Sequence, residues 1–234
     1  MPGMATVTYE QRGETALVRM DDGKANALGN ELMGELDAAL DRASREAKAV
    51  VLAGRPGRFC AGFDLKAMTA GIDAARAIVS RGAGTLLKLY THPQPLVIAC
   101  TGHALAGGAL VLLTGDVRIA VRGAFKIGLN EVAIGMPVPV LAMELARDRL
   151  EPRFFTRSTL FAEQYDPDGA LFAGYVDEVV EEAQLLERAL AEATRLSALP
   201  ATAYATTKTI QRERTVEHIQ RTLAKDMERL TGPK

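Results

Sequence analysis

The sequence predicts an α/β fold with a mainly parallel sheet and a helical C-terminal tail. Three observations carry that expectation: short, wholly apolar runs closed by glycine or polar residues, amphipathic stretches of helical period between them, and a mostly helical pattern from Val138 onward.

Two alternating runs, Val7 to Gln11 and Ala16 to Met20, flank Arg12-Gly13-Glu14 and read as a hairpin. A glycine-containing turn, Asp22-Gly23-Lys24-Ala25-Asn26, precedes an amphipathic helix with Leu32, Leu36, Ala39, Leu40 and Ala43 on one face. Ala49 to Ala53 is a continuous apolar run ended by Gly54, as a strand buried on both faces requires. The order then repeats. A helix from about Asp73 to Tyr90 is stopped by Pro93 and Pro95, Leu96 to Cys100 is a second buried strand, and the glycine-rich Gly102 to Gly108 opens another helix. Val117 to Ala120, Phe125 to Ile127 and Val176 to Val180 read as further strands, and helical patterns recur at Gln184 to Ser197 and His218 to Leu230. The expected division is a core over residues 1–190 and a helical oligomerisation region over 191–234.

The 234 residues, 48% of them hydrophobic, suffice for one sizeable core with an appended subdomain. Lys+Arg is 28 against Asp+Glu 29, so no basic excess marks a nucleic-acid footprint. Cys60 and Cys100 sit in apolar segments without a second cysteine or a histidine at ligand spacing, which predicts buried structural thiols and no metal site. The first ten residues show neither a basic nor an apolar leader region, and the longest apolar stretch, Ala104 to Thr114, is too short to span a bilayer. A cytoplasmic enzyme is expected.

Chemistry concentrates in three segments: Arg58 to Lys66, Gly102 to Gly108, and Ile127 to Glu131. Small-residue turns after neighbouring parallel strands expose backbone N–H groups at the carboxyl edge of a sheet, where ligands bind in open α/β folds. Gly107 opens a helix, so its N–H also lies at the positive end of a dipole. Two such groups converging on one oxygen make an oxyanion hole, and glycine lets the backbone approach the ligand. Glu131 is then the candidate acid/base.

These segments resemble the crotonase (enoyl-CoA hydratase/isomerase) superfamily. Phe59 to Lys66 resembles its F-x-A-G-x-D-L-K; Gly102 to Gly108 with Gly115 to Ala120 resembles N-G-x-A-x-G-G-G…C-D-x-R-I-A. Lys24 to Leu28 resembles K-x-N-A-L, and Gly174 to Val180 resembles G-L-V-D-E-V-V. The matches keep order over roughly residues 7 to 180. The resemblance implies a crotonase-type spiral of repeated ββα units with a C-terminal helical trimerisation subdomain, a CoA thioester substrate, no separate cofactor, and a homotrimer or dimer of trimers. Carried over by position, Phe63 and Gly107 supply the oxyanion N–H groups. Lys24, Ala25, Ala27, Ala61, Asp64, Leu65 and Lys66 lie along CoA, the two lysines towards its phosphates.

One departure bears on the reaction. Hydratases of this family carry two glutamates, and the first position falls at Leu110 here, the second at Glu131. Leucine neither activates nor positions water. A single carboxylate suits isomerisation of a 3-enoyl thioester, and Ile127 to Glu131 resembles the corresponding segment of Δ3,Δ2-enoyl-CoA isomerases. Gly135-Met136-Pro137-Val138-Pro139 also lacks the glycine-rich loop usual in hydratases. The expected activity is conversion of 3-enoyl-CoA to trans-2-enoyl-CoA. Hydration, thioester hydrolysis or dehydration on the same scaffold, and non-catalytic acyl-CoA binding, stand as alternatives. Blander readings apply elsewhere: Gly107 and Gly108 as a helix-packing contact, Phe63 as core, and His103, Asp116 and Arg118 as structural. Glu144 and Glu151 are expected to be solvated.

Overall fold

The computed structural model describes residues 5–231. Nine strands and nine α-helices occur in these residues. The hairpin is β1 (Val7–Arg12) and β2 (Thr15–Met20), followed by α1 (Asn30–Glu46), β3 (Ala49–Ala53) and β4 (Gly57–Cys60). Next come α2 (Leu65–Thr69), α3 (Ile72–Tyr90), β5 (Leu96–Cys100), β6 (Gly102–Leu105), α4 (Gly107–Thr114), β7 (Val117–Val121) and β8 (Ile127–Gly128). The chain ends with α5 (Val140–Arg149), α6 (Pro152–Thr159), α7 (Pro167–Ala173), β9 (Glu178–Val180), α8 (Glu182–Ser197) and α9 (Ala201–Thr231).

The strands form two sheets. The larger has the order β1-β2-β3-β5-β7-β9, antiparallel only between β1 and β2; the smaller is β4-β6-β8, wholly parallel. β3 and β5 are fully buried because α8 covers one face of the large sheet and the remaining helices and the small sheet cover the other. Leu185, Ala189, Ala193 and Leu196 of α8 pack on Leu17, Val51, Val97 and Ile119.

Short strands therefore follow β3 and β5 directly, and each pair is succeeded by a helix. That corrects one expectation. The two candidate turns do not leave β3 and β5; they leave β4 and β6, which are neighbours in the second sheet. Similarly, the expected strand at Phe125 to Ile127 is displaced to Ile127–Gly128, where Ala104 and Leu105 of β6 offer the pairing edge.

Residue 190 lies inside α8, and the break between α8 and α9 falls at residues 198–200, where Pro200 has no N–H to continue a helix. The stretch from Ala201 has no glycine or proline before residue 231, so the helix expected from His218 begins seventeen residues earlier as one 31-residue helix. Its inner face is charged. Lys208 donates to Asp116 Oδ2 (2.6 Å), Arg212 to Asp116 Oδ1 (2.7 Å), and Lys208 also to the carbonyls of His92 (2.7 Å) and Gln94 (3.1 Å). No helix among the described residues is long and apolar enough to cross a membrane.

Candidate active site

β4 and β6 run side by side, so the turns that leave them meet. A side chain on Gly62 would lie 3.3 Å from the Gly107 nitrogen and 3.1 Å from the Ala106 Cβ. On Gly108 it would lie 2.0 Å from the Cys60 carbonyl oxygen, so only glycine allows the two backbones to approach this closely. Ala106, just before α4, holds φ 47° and ψ −122°, a conformation that non-glycine residues rarely adopt. It turns the chain sharply into the helix at Gly107. Among the described residues, neither the Phe63 N–H nor the Gly107 N–H has a hydrogen-bond acceptor, although neighbouring amides do: Asp64 N–H donates to Leu28 O (3.3 Å) and Leu110 N–H to Ala106 O (3.1 Å).

The segment from Lys24 to Leu28 runs beside this turn. Ala61 N–H donates to Ala25 O (3.0 Å), Leu28 N–H to Gly62 O (2.8 Å), and Leu28 bridges Phe63. Asn26, buried at φ 53°, is the tie that sequence reasoning did not single out. Its amide donates to the carbonyls of Met20 (2.9 Å), Arg58 (3.2 Å) and Phe59 (3.1 Å), joining β2, the turn and β4. The asparagine within the K-x-N-A-L match was the available signal. Lys24 and Lys66 are exposed, and Ala25 and Ala27 are half-buried. The Asp64 carboxylate accepts the Lys66 N–H (2.8 Å) and so caps α2.

Glu131 approaches from the other side. Its backbone is fixed at the head of a single 3-10 turn, Val132–Ile134, where its carbonyl accepts Ile134 N–H (3.1 Å) and Met136 N–H (2.9 Å). The residue is 7% exposed, and its Oε2 has no hydrogen-bond partner among the described residues. Burial raises the carboxyl above the ordinary carboxylate range, partly opposed by a hydrogen bond from its own backbone N–H. Glu131 shares a cavity of about 190 Å³ with Ala61, Phe63, Leu65, Ala106 and Leu110. Met68, Val79, Asn130, Ile134, Met136, Pro137 and Pro139 complete its lining, and Glu131 is the ionisable residue of the set. Phe63, Glu131, Ala61 and Leu65 are thus brought to one cavity with Gly107 against its wall; Lys24, Ala25, Ala27, Asp64 and Lys66 flank it.

The residues read as structural occupy structural places. His103 Nδ1 accepts the Lys126 N–H (3.0 Å) and the ring stands edge-on to Phe125. Arg118 pairs with Asp177 (2.6 Å). Burial pushes the Cys60 and Cys100 thiols up to about 12, which keeps them protonated and inert. Among the described residues no cluster of His, Cys, Asp or Glu could hold a metal ion. Of the two glutamates expected to be solvated, Glu151 is exposed, but Glu144 is half-buried and pairs with Arg147.

The site thus sets free amides beside a buried carboxyl in a largely apolar cavity. The enoyl-CoA hydratase/isomerase family model matches residues 10–232, so the chain belongs to that family. Human mitochondrial enoyl-CoA delta isomerase 1 is 31% identical over 209 residues, covering 87% of this chain and 69% of the relative. A probable enoyl-CoA hydratase of Rhodobacter capsulatus is also 31% identical, over 206 residues, with 87% and 79% covered. The crystal structure of an enoyl-CoA hydratase/isomerase family protein from Pseudomonas syringae superposes with a TM-score of 0.94 at 38% identity, covering 96% of this chain and 98% of that one. The fold is the crotonase fold.

Proposed function

We propose that this protein isomerises 3-enoyl-CoA to trans-2-enoyl-CoA, with Glu131 as the proton carrier. The observation that carries the reading is the make-up of the cavity: one carboxyl, with Leu110 among the apolar residues around it. Bound with its thioester oxygen between the N–H groups of Phe63 and Gly107, a 3-enoyl thioester would present C2 to Glu131. The carboxylate takes a C2 proton; the electron pair moves into the thioester carbonyl and leaves a dienolate held by the two N–H donors. The same carboxylic acid returns the proton at C4, the double bond settles between C2 and C3, and atoms and charge balance without any metal or redox cofactor.

Hydration needs a second group to position water or hand over a proton, and Leu110 supplies neither. The apolar lining instead keeps water from the dienolate and makes the carboxylate a stronger base by desolvation. Ala61 and Leu65 at the cavity, with Lys24, Ala25, Ala27, Asp64 and Lys66 beside it, are assigned to CoA, and the assembly to a trimer or a dimer of trimers.

The test is incubation with 3-hexenoyl-CoA while the absorbance of the conjugated thioester is followed, beside a 2-hexenoyl-CoA control for 3-hydroxyacyl-CoA. Conjugation without hydration is expected, and Glu131→Gln should lose it while still binding the CoA ester. Rapid hydration of the control, or full turnover by Glu131→Gln, rejects the assignment.

A further inference from the structure

The cavity is only one side of Glu131. Behind the Leu129–Glu131 segment lies a buried group of hydroxyls that the reaction above does not use. Tyr175 is its centre, with 0% of its surface exposed. The Tyr175 backbone is pinned on both sides: its N–H donates to Ala170 O (2.9 Å), and two residues later Asp177 is gripped by Arg118 (2.6 Å). The ring position is therefore set by α7 and β7, independently of the cavity.

The Tyr175 hydroxyl oxygen lies beside the Ser158 hydroxyl and the Leu129 backbone N–H, close enough for the Glu131 carboxylate to oppose its ionisation. Yet among the described residues it completes no hydrogen bond of good geometry. Ser158 is also fully buried, and its Oγ stands 3.3 Å from the Tyr165 hydroxyl. Tyr165 in turn exchanges backbone hydrogen bonds with Ile127 (2.9 Å each), while its ring lies 5.9 Å from that of Tyr175. Three buried side-chain oxygens without a partner thus come from this one corner of the fold: Asn130 Oδ1, Glu131 Oε2 and the Tyr175 hydroxyl. A buried hydroxyl without a partner is disfavoured if packing alone is at stake. The G-L-V-D-E-V-V pattern that Gly174 to Val180 resembles has leucine at this position.

We propose that Tyr175 is a positioning residue for Glu131, its buried hydroxyl orienting the Leu129–Glu131 segment and thereby the carboxyl that faces the cavity. With its oxygen beside the Leu129 N–H, the phenol would brace the chain two residues before the carboxyl. Its hydroxyl is also a polar group behind a carboxylate whose cavity neighbours are apolar or, in Asn130, neutral. No other ionisable side chain lines the cavity, so the groups facing Glu131 are those lining residues in front and the Tyr175 phenol behind. The inference rests on the reading of Glu131 as proton carrier, but the coupling between the two side chains can be measured without turnover.

The experiment compares wild type, Tyr175→Phe and Ser158→Ala by kinetics and by the carboxyl titration of ¹³C-labelled glutamate, with Glu131 assigned through Glu131→Gln. Loss of the phenol hydroxyl should lower kcat about tenfold with KM nearly unchanged, because a small misplacement of the base weakens proton transfer. It should also move the acid limb and the Glu131 titration upward, since the carboxylate loses a polar group behind it. Ser158→Ala should act in the same direction, more weakly, and it carries the test should Tyr175→Phe not fold. An unchanged Glu131 titration in the folded variants overturns the proposal, and so does a loss of stability with no movement of that titration. If wild type leaves 3-hexenoyl-CoA unconverted while the titration still responds to Tyr175→Phe, the isomerase reading fails and the coupling stands.

Discussion

An ionised carboxyl with one oxygen left without a partner in an apolar setting costs stability, and Glu131 is such a group. Its folded-state pKa is raised, so the cost is present above that value and is relieved as pH falls through it. Glu131→Gln should therefore raise Tm near neutral pH, by about 1 kcal/mol equivalent, with the difference shrinking in acid, while kcat falls by at least about 100-fold. Under the proposed function catalysis runs the other way with pH: with the carboxylate as base, kcat should fall as pH drops through the raised pKa, above the ordinary carboxylate range. A limb near the usual carboxylate value would contradict a buried base. Gly82 offers a steric test. A methyl there would lie 2.1 Å from Cε1 of the Phe63 ring, whose other edge backs onto Gly107. Alanine favours a helix by about 1 kcal/mol over glycine, yet here it must push Phe63 and the amide beside it. Gly82→Ala should lose about tenfold or more in kcat even if Tm holds, and equal kcat would show that the ring yields freely. The grouping of Phe63, Gly107 and Glu131 around one cavity was legible in the sequence, from turn chemistry for Gly107 and from the family resemblance for Phe63 and Glu131. Asn26 and Tyr175 were not. Their partners lie 32 and 33 residues away for Asn26, and across α6 and β8 for Tyr175, and no local pattern encodes such contacts.

The long apolar strands β3 and β5 were legible as elements because burial on both faces leaves a continuous apolar run. β4, β6 and β8 were not, since each is four residues or fewer and contains glycine, so only the partner strand makes it extended. The same limit hid the origin of the two turns. For α9, the helical period was visible but not its seat, because that depends on Asp116, more than ninety residues away in sequence. Burial alone would raise the Asp116 carboxyl, but Lys208 and Arg212 outweigh it and hold the group below its ordinary value. Its contribution is thus fully present above the unfolded carboxylate range and is lost as pH falls through the lowered folded value. Asp116→Asn would leave two buried cations without their counter-charge and should destabilise the protein by about 3–5 kcal/mol. Hydrogen exchange should show the loosening first in α9. Uniform exchange across the large sheet, with α9 still protected, would mean that apolar contacts alone seat this helix.

At the scale of the molecule, α9 returns across the spiral to wall a small void that adjoins the cavity beside Glu131. Phe63, Val79, Leu110 and Pro139 line both the cavity beside Glu131 and a second void of about 20 Å³, whose other walls include Leu141 of α5 and Leu223 of α9. A void that small holds little more than a water molecule, so an acyl tail that passes Leu110 meets α9 almost at once. Leu223 is half-buried there and packs against the core. Under the proposed function this arrangement would favour short chains and would place the length limit on the helix held by Asp116 as well as on the segment from Met68 to Tyr90. Leu223→Ala should lower stability by about 2 kcal/mol and lengthen the optimum. Each further methylene buried contributes about 0.8 kcal/mol, so kcat/KM for longer 3-enoyl-CoA esters should rise about fourfold per methylene until the enlarged void is filled. A series of thioesters of increasing length measures this directly. An optimum that stays put in Leu223→Ala, with the fold intact, would mean that the tail leaves between α2 and α3 instead, and Met68→Ala would then be the variant that moves it.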